Sequence, residues 1–171
     1  MCADRRVLGL DPGTVYLGYG LVAQGTQPDV PAWGVLHARA GLSLPERLLY
    51  LHDALNDLLG RLGPTEVAVE EVFVARNWRT ALVLGHAHGI ALLAAARAGV
   101  PVATYATATV KEAVTGFGGA DKAQVQALVA QHLGLSAVPR PDHAADALAV
   151  ALCHLWRGAF ARRVVEEARA P

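Results

Sequence analysis

The most constraining stretch is Arg6 to Leu10 (RVLGL), a nearly continuous apolar run that breaks directly into Asp11 and a Pro12-Gly13 turn signal. A short run without polar alternation suits a strand buried on both faces, and such a strand needs a sheet covered on each side. Ending that strand on Asp11 sets a carboxylate at the rim of a buried layer, where an unpaired charge is costly.

The remaining elements are consistent with that demand. Tyr16 to Ala23 and Ala32 to Ala38 read as two further strands, separated by a loop rich in Gly, Gln, Pro and Asp, and suggest an antiparallel meander. Ser43-Leu44-Pro45-Glu46 has the form of a capping box, and Leu44, Leu48, Leu51, Leu55, Leu58 and Leu62 then recur at helical spacing until Gly63-Pro64 stops them. Glu66 to Val72 and Pro101 to Tyr105 are the next strands, with a long helix from Asn77 to Ala98 between them. Thr107 to Val114, Ala120 to His132 and His143 to Arg157 complete the pattern as helices. Strands in a row followed by alternating helix and strand predict an α/β protein, a five-stranded mixed sheet with helices on both faces. With 171 residues, 53% of them apolar, the chain has room for one substantial core. The expected division is a single domain over residues 1–157 and a charged C-terminal tail, 158–171, that frays.

Charge is balanced, with 15 basic and 15 acidic residues, so total charge gives no sign of a nucleic-acid partner. Distribution is more informative: the only lysines, Lys111 and Lys122, flank the glycine-rich bend at Gly116-Phe117-Gly118-Gly119. Cys2 and Cys153 lie at opposite ends and do not suggest a disulfide framework; a cytoplasmic location is expected. The apolar stretch from Ala81 to Ala96 is interrupted by His86 and His88 and falls short of the roughly 20 residues of a spanning helix.

Several acids sit where burial would normally forbid them: Asp11 at a strand end, Glu70 and Glu71 in an apolar strand, and Asp146 in the helix DHAADALAVAL. Taken singly, most have ordinary explanations as caps or solvated strand positions. Taken together they suggest convergence on shared cations, because hard divalent ions take oxygen ligands and offset carboxylate repulsion. His143 and Asp146, three apart on a helix, face the same way. Two such ions can promote in-line phosphodiester cleavage.

The strings LGLDPGT, GYG, AVEEVF, VKEAVTGFGGADKAQVQ and DHAADALAVALCH, in this order along almost the whole chain, resemble the RuvC family of Holliday-junction resolvases. That resemblance implies an RNase H-like fold and a homodimer making paired Mg²⁺-dependent nicks in symmetry-related strands of a four-way DNA junction, alongside the RuvA and RuvB branch-migration proteins. It makes Asp11, Glu70, His143 and Asp146 the catalytic and metal-binding set, with Glu71 secondary. Strand parity separates Glu70 from Glu71 but does not choose between them. Many relatives carry aspartate where this chain has His143, and others histidine. Imidazole is a weaker partner than carboxylate for Mg²⁺, so Mn²⁺ is expected to serve at least as well.

DNA contacts are expected from Phe73, Arg76 and Arg79, in an aromatic and basic stretch suited to stacking bases and neutralising phosphates. The resemblance adds Lys111 and Lys122 near the scissile phosphate. GFGGADK is not a Walker A loop, since no Ser or Thr follows the lysine. An actin-like or sugar-kinase-like phosphotransferase could share the LGLDPGT hairpin but would need a second lobe. Other RNase H-like nucleases share the acidic chemistry without the GFGGADKAQVQ and AVEEVF strings. A catalytically idle junction scaffold would lack the acids.

Overall fold

The computed structural model describes residues 5–71 and 78–169, with side chains as far as residue 158. Five strands, β1 (Arg6–Asp11), β2 (Tyr16–Ala23), β3 (Asp29–His37), β4 (Glu66–Glu70) and β5 (Val102–Tyr105), form one sheet in the order β3-β2-β1-β4-β5. β1, β2 and β3 are an antiparallel meander, whereas β4 pairs parallel to β1 and β5 parallel to β4. The helices are α1 (Leu44–Leu62), α2 (Trp78–Arg97), α3 (Thr107–Thr115), α4 (Lys122–His132) and α5 (Asp142–Arg169). The last continues well past Arg157, through residues expected to fray.

Side chains alternate across a strand, so one β1 face carries Leu8 and Leu10 and the other Val7 and Gly9. Leu8, Leu10, Leu17, Leu21, Val67 and Val69 join the α1 leucines Leu51, Leu55, Leu58 and Leu59 and the α2 alanines Ala91, Ala94 and Ala95 in one core. Val7, Val22 and Ala68 join α3, α4 and α5 residues in the other, including Val110, Val129, Leu148 and Leu152. At the start of α1, Glu46 reaches back to accept from the Ser43 N–H at 2.7 Å and from its hydroxyl at 2.6 Å. Gly63 caps the other end in the left-handed conformation, its N–H donating to Leu59 at 3.0 Å. A second capping box opens α4, where Asp121 accepts from the Gln124 N–H at 2.8 Å.

By length and composition, α2 is apolar enough to cross a membrane, and it buries Ala87, Ala91, Ala94 and Ala95 within the fold. Its outer face exposes Trp78, Leu82 and Leu93, and among the described residues no other element lies within 4 Å of a Cβ placed on Gly85 or Gly89. These glycines therefore do not pack on the sheet. His86 is exposed and His88 half-buried on the same helix.

Candidate active site

Strand parity puts Asp11 on the same face as Val7 and Gly9, and Glu70 on the same face as Ala68. Both carboxylates thus end adjacent parallel strands on the side covered by α5. Three glycines let that helix approach closely. A Cβ on Gly9 would lie 2.0 Å from the Ala147 carbonyl oxygen, and one on Gly18 2.0 Å from that of His143. On Gly20 it would meet the Leu148 side chain at 2.6 Å. The helix facing them is lined with alanine, Ala144, Ala147 and Ala151 being buried.

This close seat brings the first turn of α5 onto the end of β1. His143 Nδ1 donates to Asp11 Oδ2 at 2.6 Å, and ligand atoms of Asp11, His143 and Asp146 all lie within 4.8 Å of one another. Glu70 stands outside that circle. It shares with Asp146 a cavity of about 220 Å³, also lined by Thr107, Lys111 and Lys122. The Thr107 hydroxyl donates to Glu70 Oε1 at 2.5 Å. Glu71 lies beyond the strand, exposed, and accepts from the Thr104 hydroxyl at 3.2 Å.

The electrostatics are those of crowded, partly desolvated acids. Burial pushes the Glu70 carboxyl up, opposed by the Thr107 hydrogen bond and reinforced by the charges of Asp11 and Asp146. Asp146 is also raised, chiefly by burial, although Lys122 donates to it. His143 is raised by its hydrogen bond to Asp11, against the effect of burial. Burial alone would lower Lys122, but Asp146 and Asp142 outweigh it and hold the ammonium charged. Lys122 Nζ sits 3.0 Å from Asp146 Oδ2 and 3.5 Å from Asp142 Oδ2, so a cation already occupies the edge of the acidic group. Oxygen and imidazole donors this close, with two of the carboxyls raised toward protonation, fit a divalent ion.

The structure therefore brings together Asp11, His143 and Asp146, with Glu70 beside them. Lys111 lines the cavity wall and is held by its hydrogen bond to the Ala120 carbonyl at 2.7 Å. Arg79 is not among the lining residues; its guanidinium lies 5.3 Å from the centre of the Trp78 ring at the start of α2. Phe73 and Arg76 lie outside the described residues. Sequence reading missed the hydroxyl of Thr107 as a partner for Glu70, and no local pattern marks it. It also missed the glycine seam, although Gly18 and Gly20 alternate along β2 as one face would require.

About three turns further along α5, Arg5 is buried and makes two hydrogen bonds to Glu66, at 2.6 and 2.7 Å. His154 Nε2 lies 2.7 Å from Glu66 Oε2, and its Nδ1 lies 2.8 Å from the Tyr105 hydroxyl. The Arg5 hydrogen bonds hold the Glu66 carboxyl down to about 2, against burial and with help from His154. This network ties the helix to β4 and β5 far along the chain from the acids.

A five-stranded mixed sheet with acids ending β1 and β4, and a closing helix that delivers His143 and Asp146 onto them, defines an RNase H-like protein with an acidic centre of the nuclease type. A family model described as Crossover junction endodeoxyribonuclease RuvC matches residues 7–154. The chain belongs to the RuvC family. Crossover junction endodeoxyribonuclease RuvC of Chloroflexus aggregans is 51% identical over 152 residues, covering 88% of this chain and 93% of the relative. That of Salinispora arenicola is 47% identical over 165 residues, covering 95% and 94%. Thermus thermophilus RuvC, solved in complex with a Holliday junction substrate, superposes with a TM-score of 0.85 at 38% identity, covering 92% of this chain and 96% of that one.

Proposed function

We propose that this chain is a metal-dependent endonuclease that resolves four-way DNA junctions by paired nicks in symmetry-related strands. The observation that carries this reading is the convergence of Asp11, His143 and Asp146 within 4.8 Å at the end of the central strand. Membership of the RuvC family supports it, as does likeness to a RuvC bound to a Holliday junction.

Asp11, Glu70, His143 and Asp146 would hold divalent cations, two per site, Mg²⁺ or Mn²⁺. Bound there, such ions supply Lewis acidity to the phosphate and to the water that attacks it. Asp11 orients the His143 ring through its hydrogen bond, and Thr107 orients Glu70 in the same way. Lys122 and Lys111, on the cavity wall, neutralise the phosphate that approaches the acids. Departure of the 3′-oxygen leaves a 5′-phosphate and a 3′-hydroxyl. Phe73, Arg76 and Arg79 would contact DNA where the chain leaves β4.

Paired cuts require two active sites, which a two-fold dimer supplies with the symmetry of the junction itself. The outer face of α2 is suited to this contact. Trp78, Leu82 and Leu93 are exposed there around the depressions at Gly85 and Gly89, forming with Leu48 an apolar groove of about 860 Å³. An exposed apolar patch on a helix marks an association surface. Action with RuvA and RuvB, in the cytoplasm, completes the proposal.

The test is cleavage of a synthetic mobile junction against a matched linear duplex, with Mg²⁺ or Mn²⁺, by the parent and by Asp146→Asn. Paired symmetric nicks in the junction alone, sealable by DNA ligase and abolished by the substitution, are expected, with Mn²⁺ at least as effective as Mg²⁺. Equal cutting of the duplex would indicate a nonspecific nuclease. ATP turnover without cutting would indicate a phosphotransferase.

A further inference from the structure

A second concave surface shares His143 with the acidic centre. This open groove, about 790 Å³, runs past His143 along Tyr16, His37 and Val35 to Arg140. Tyr16 is the first residue of β2 and pairs across the ladder with His37. Its parity points it to the same face as Gly18 and Gly20, but α5 begins only at Asp142, so the ring lies beyond the helix that covers those glycines. It is 44% exposed. The Tyr16 and His37 rings stack with centres 4.5 Å apart and planes 19° from parallel. Tyr16 and His143 stack at 5.8 Å, again at 19°. A half-exposed tyrosine stacked with two imidazoles at the end of an inner strand adds little to either core.

We infer that this groove is a stacking subsite for one nucleobase of the strand being cut, with the Tyr16–His37 pair as its platform and Arg140 as the contact for an adjacent phosphate. The inference rests on the nuclease reading and extends it to residues outside the acidic centre. A polynucleotide whose scissile phosphate meets the acids must continue beyond them on both sides. One side opens toward Lys111 and Lys122; the other, across His143, opens into this groove. Aromatic faces accept any base by stacking, without hydrogen-bond readout. The groove is not an anionic barrier, because Asp142 on its wall is paired with both Arg140 and Lys122. The Arg140 side chain is 71% exposed and engages Asp142 through one guanidinium nitrogen, leaving the rest of the fork directed to solvent.

The rival role for Tyr16 is to buttress His143 mechanically. Site-specific fluorescence separates the two. A junction with a fixed branch point carries 2-aminopurine singly at each nucleotide flanking the scissile phosphate. It is bound to Asp146→Asn protein, which holds the complex uncut, and affinity and emission are measured. The expected result is quenching at one flanking position, retained in Tyr16→Phe and lost in Tyr16→Leu, which keeps apolar bulk against His143. Tyr16→Leu should weaken junction binding about 5- to 150-fold, the range for one aromatic–base stack. His37→Ala, which removes the other ring of the pair, should weaken it in the same direction.

Quenching and affinity that survive in Tyr16→Leu would overturn the subsite, and with both intact a lower turnover of Tyr16→Leu in the enzyme that retains Asp146 would assign Tyr16 to buttressing alone. Failure of the parent enzyme to bind or cut any junction would instead overturn the nuclease reading, and the subsite with it.

Discussion

Gly18→Ala tests whether close seating of α5 makes the active site. A methyl group at this position would lie 2.0 Å from the carbonyl oxygen of His143 and 2.9 Å from its Cβ, where contacts under 3.0 Å are essentially never seen. The obstructing atoms belong to backbone, so no rotamer change relieves them. The first turn of α5 must retreat by about 1 Å or more, carrying His143 away from Asp11, and misplacement of that size costs on the order of 100-fold in rate. Overpacking of this kind also lowers stability by about 1–3 kcal/mol. Gly20→Ala is the milder comparison: its methyl group meets the buried Leu148 side chain at 2.6 Å and that residue's backbone nitrogen only at 3.1 Å, so the leucine must repack while the helix is pushed less than at Gly18. Gly9→Ala strikes the Ala147 carbonyl at 2.0 Å, a clash as severe but one turn further from His143. Urea unfolding and single-turnover junction cleavage at saturating enzyme should place Gly18→Ala and Gly9→Ala well below the parent in stability, with the larger rate loss in Gly18→Ala. Gly20→Ala should lose stability as Leu148 repacks but keep more of its cleavage rate than Gly18→Ala. Parental cleavage and an unchanged urea midpoint in Gly18→Ala would refute the seating argument.

Three further substitutions probe other parts of the molecule. Glu66→Gln should cost on the order of 2 kcal/mol at pH 7, because Arg5 keeps its buried charge without a carboxylate partner. Since folding holds Glu66 at about 2 rather than 4.5, its contribution is complete above about pH 5 and fades as pH falls toward 2. The gap in urea midpoint between parent and variant should therefore narrow between pH 7 and pH 3, and a constant gap would contradict this. Leu82→Asp places a charge on the exposed α2 face and should halve the mass seen in sedimentation; simultaneous paired nicks should be lost before single nicks are. A dimer unaffected by this change would move the interface elsewhere. Lys122→Ala should slow junction cleavage about 10-fold or more at physiological salt, the scale of one charge-assisted hydrogen bond. Unchanged cleavage would make Lys122 an ordinary solvated lysine.

What the sequence revealed depended on how local the cause was. The β1 run, the α1 leucine stripe with its Gly63 stop, and the His143–Asp146 spacing are set within a few residues, and the structure forms each element where the pattern places it. Glu70 and Glu71 show the limit of such reading. Their opposite parity was plain, but which of them faces α5 is set by a helix that begins only at Asp142, and Ala68 and Glu70 lie on that side. Tyr16 and His37 become neighbours only through the register of β2 on β3. The Arg5–Glu66 pair spans 61 positions and Glu66–His154 spans 88, distances at which no periodicity operates.

These long-range contacts also explain why the acids meet. β1 begins beside Arg5 and ends at Asp11; β4 begins at Glu66 and ends at Glu70; α5 runs the other way, from His143 and Asp146 to His154. Each of the three elements thus carries both a member of the acidic centre and, further along or just before its start, an anchoring polar group. The ion pairs and hydrogen bonds among Arg5, Glu66, His154 and Tyr105 hold the middle of the helix, and Gly9, Gly18 and Gly20 admit its first turns against the sheet. A helix pinned at its middle and seated at its first turns on a glycine seam has little freedom to slide or lift over the acids. The convergence of groups that would otherwise repel one another follows from that constraint, since Asp11, Glu70 and Asp146 do not attract each other.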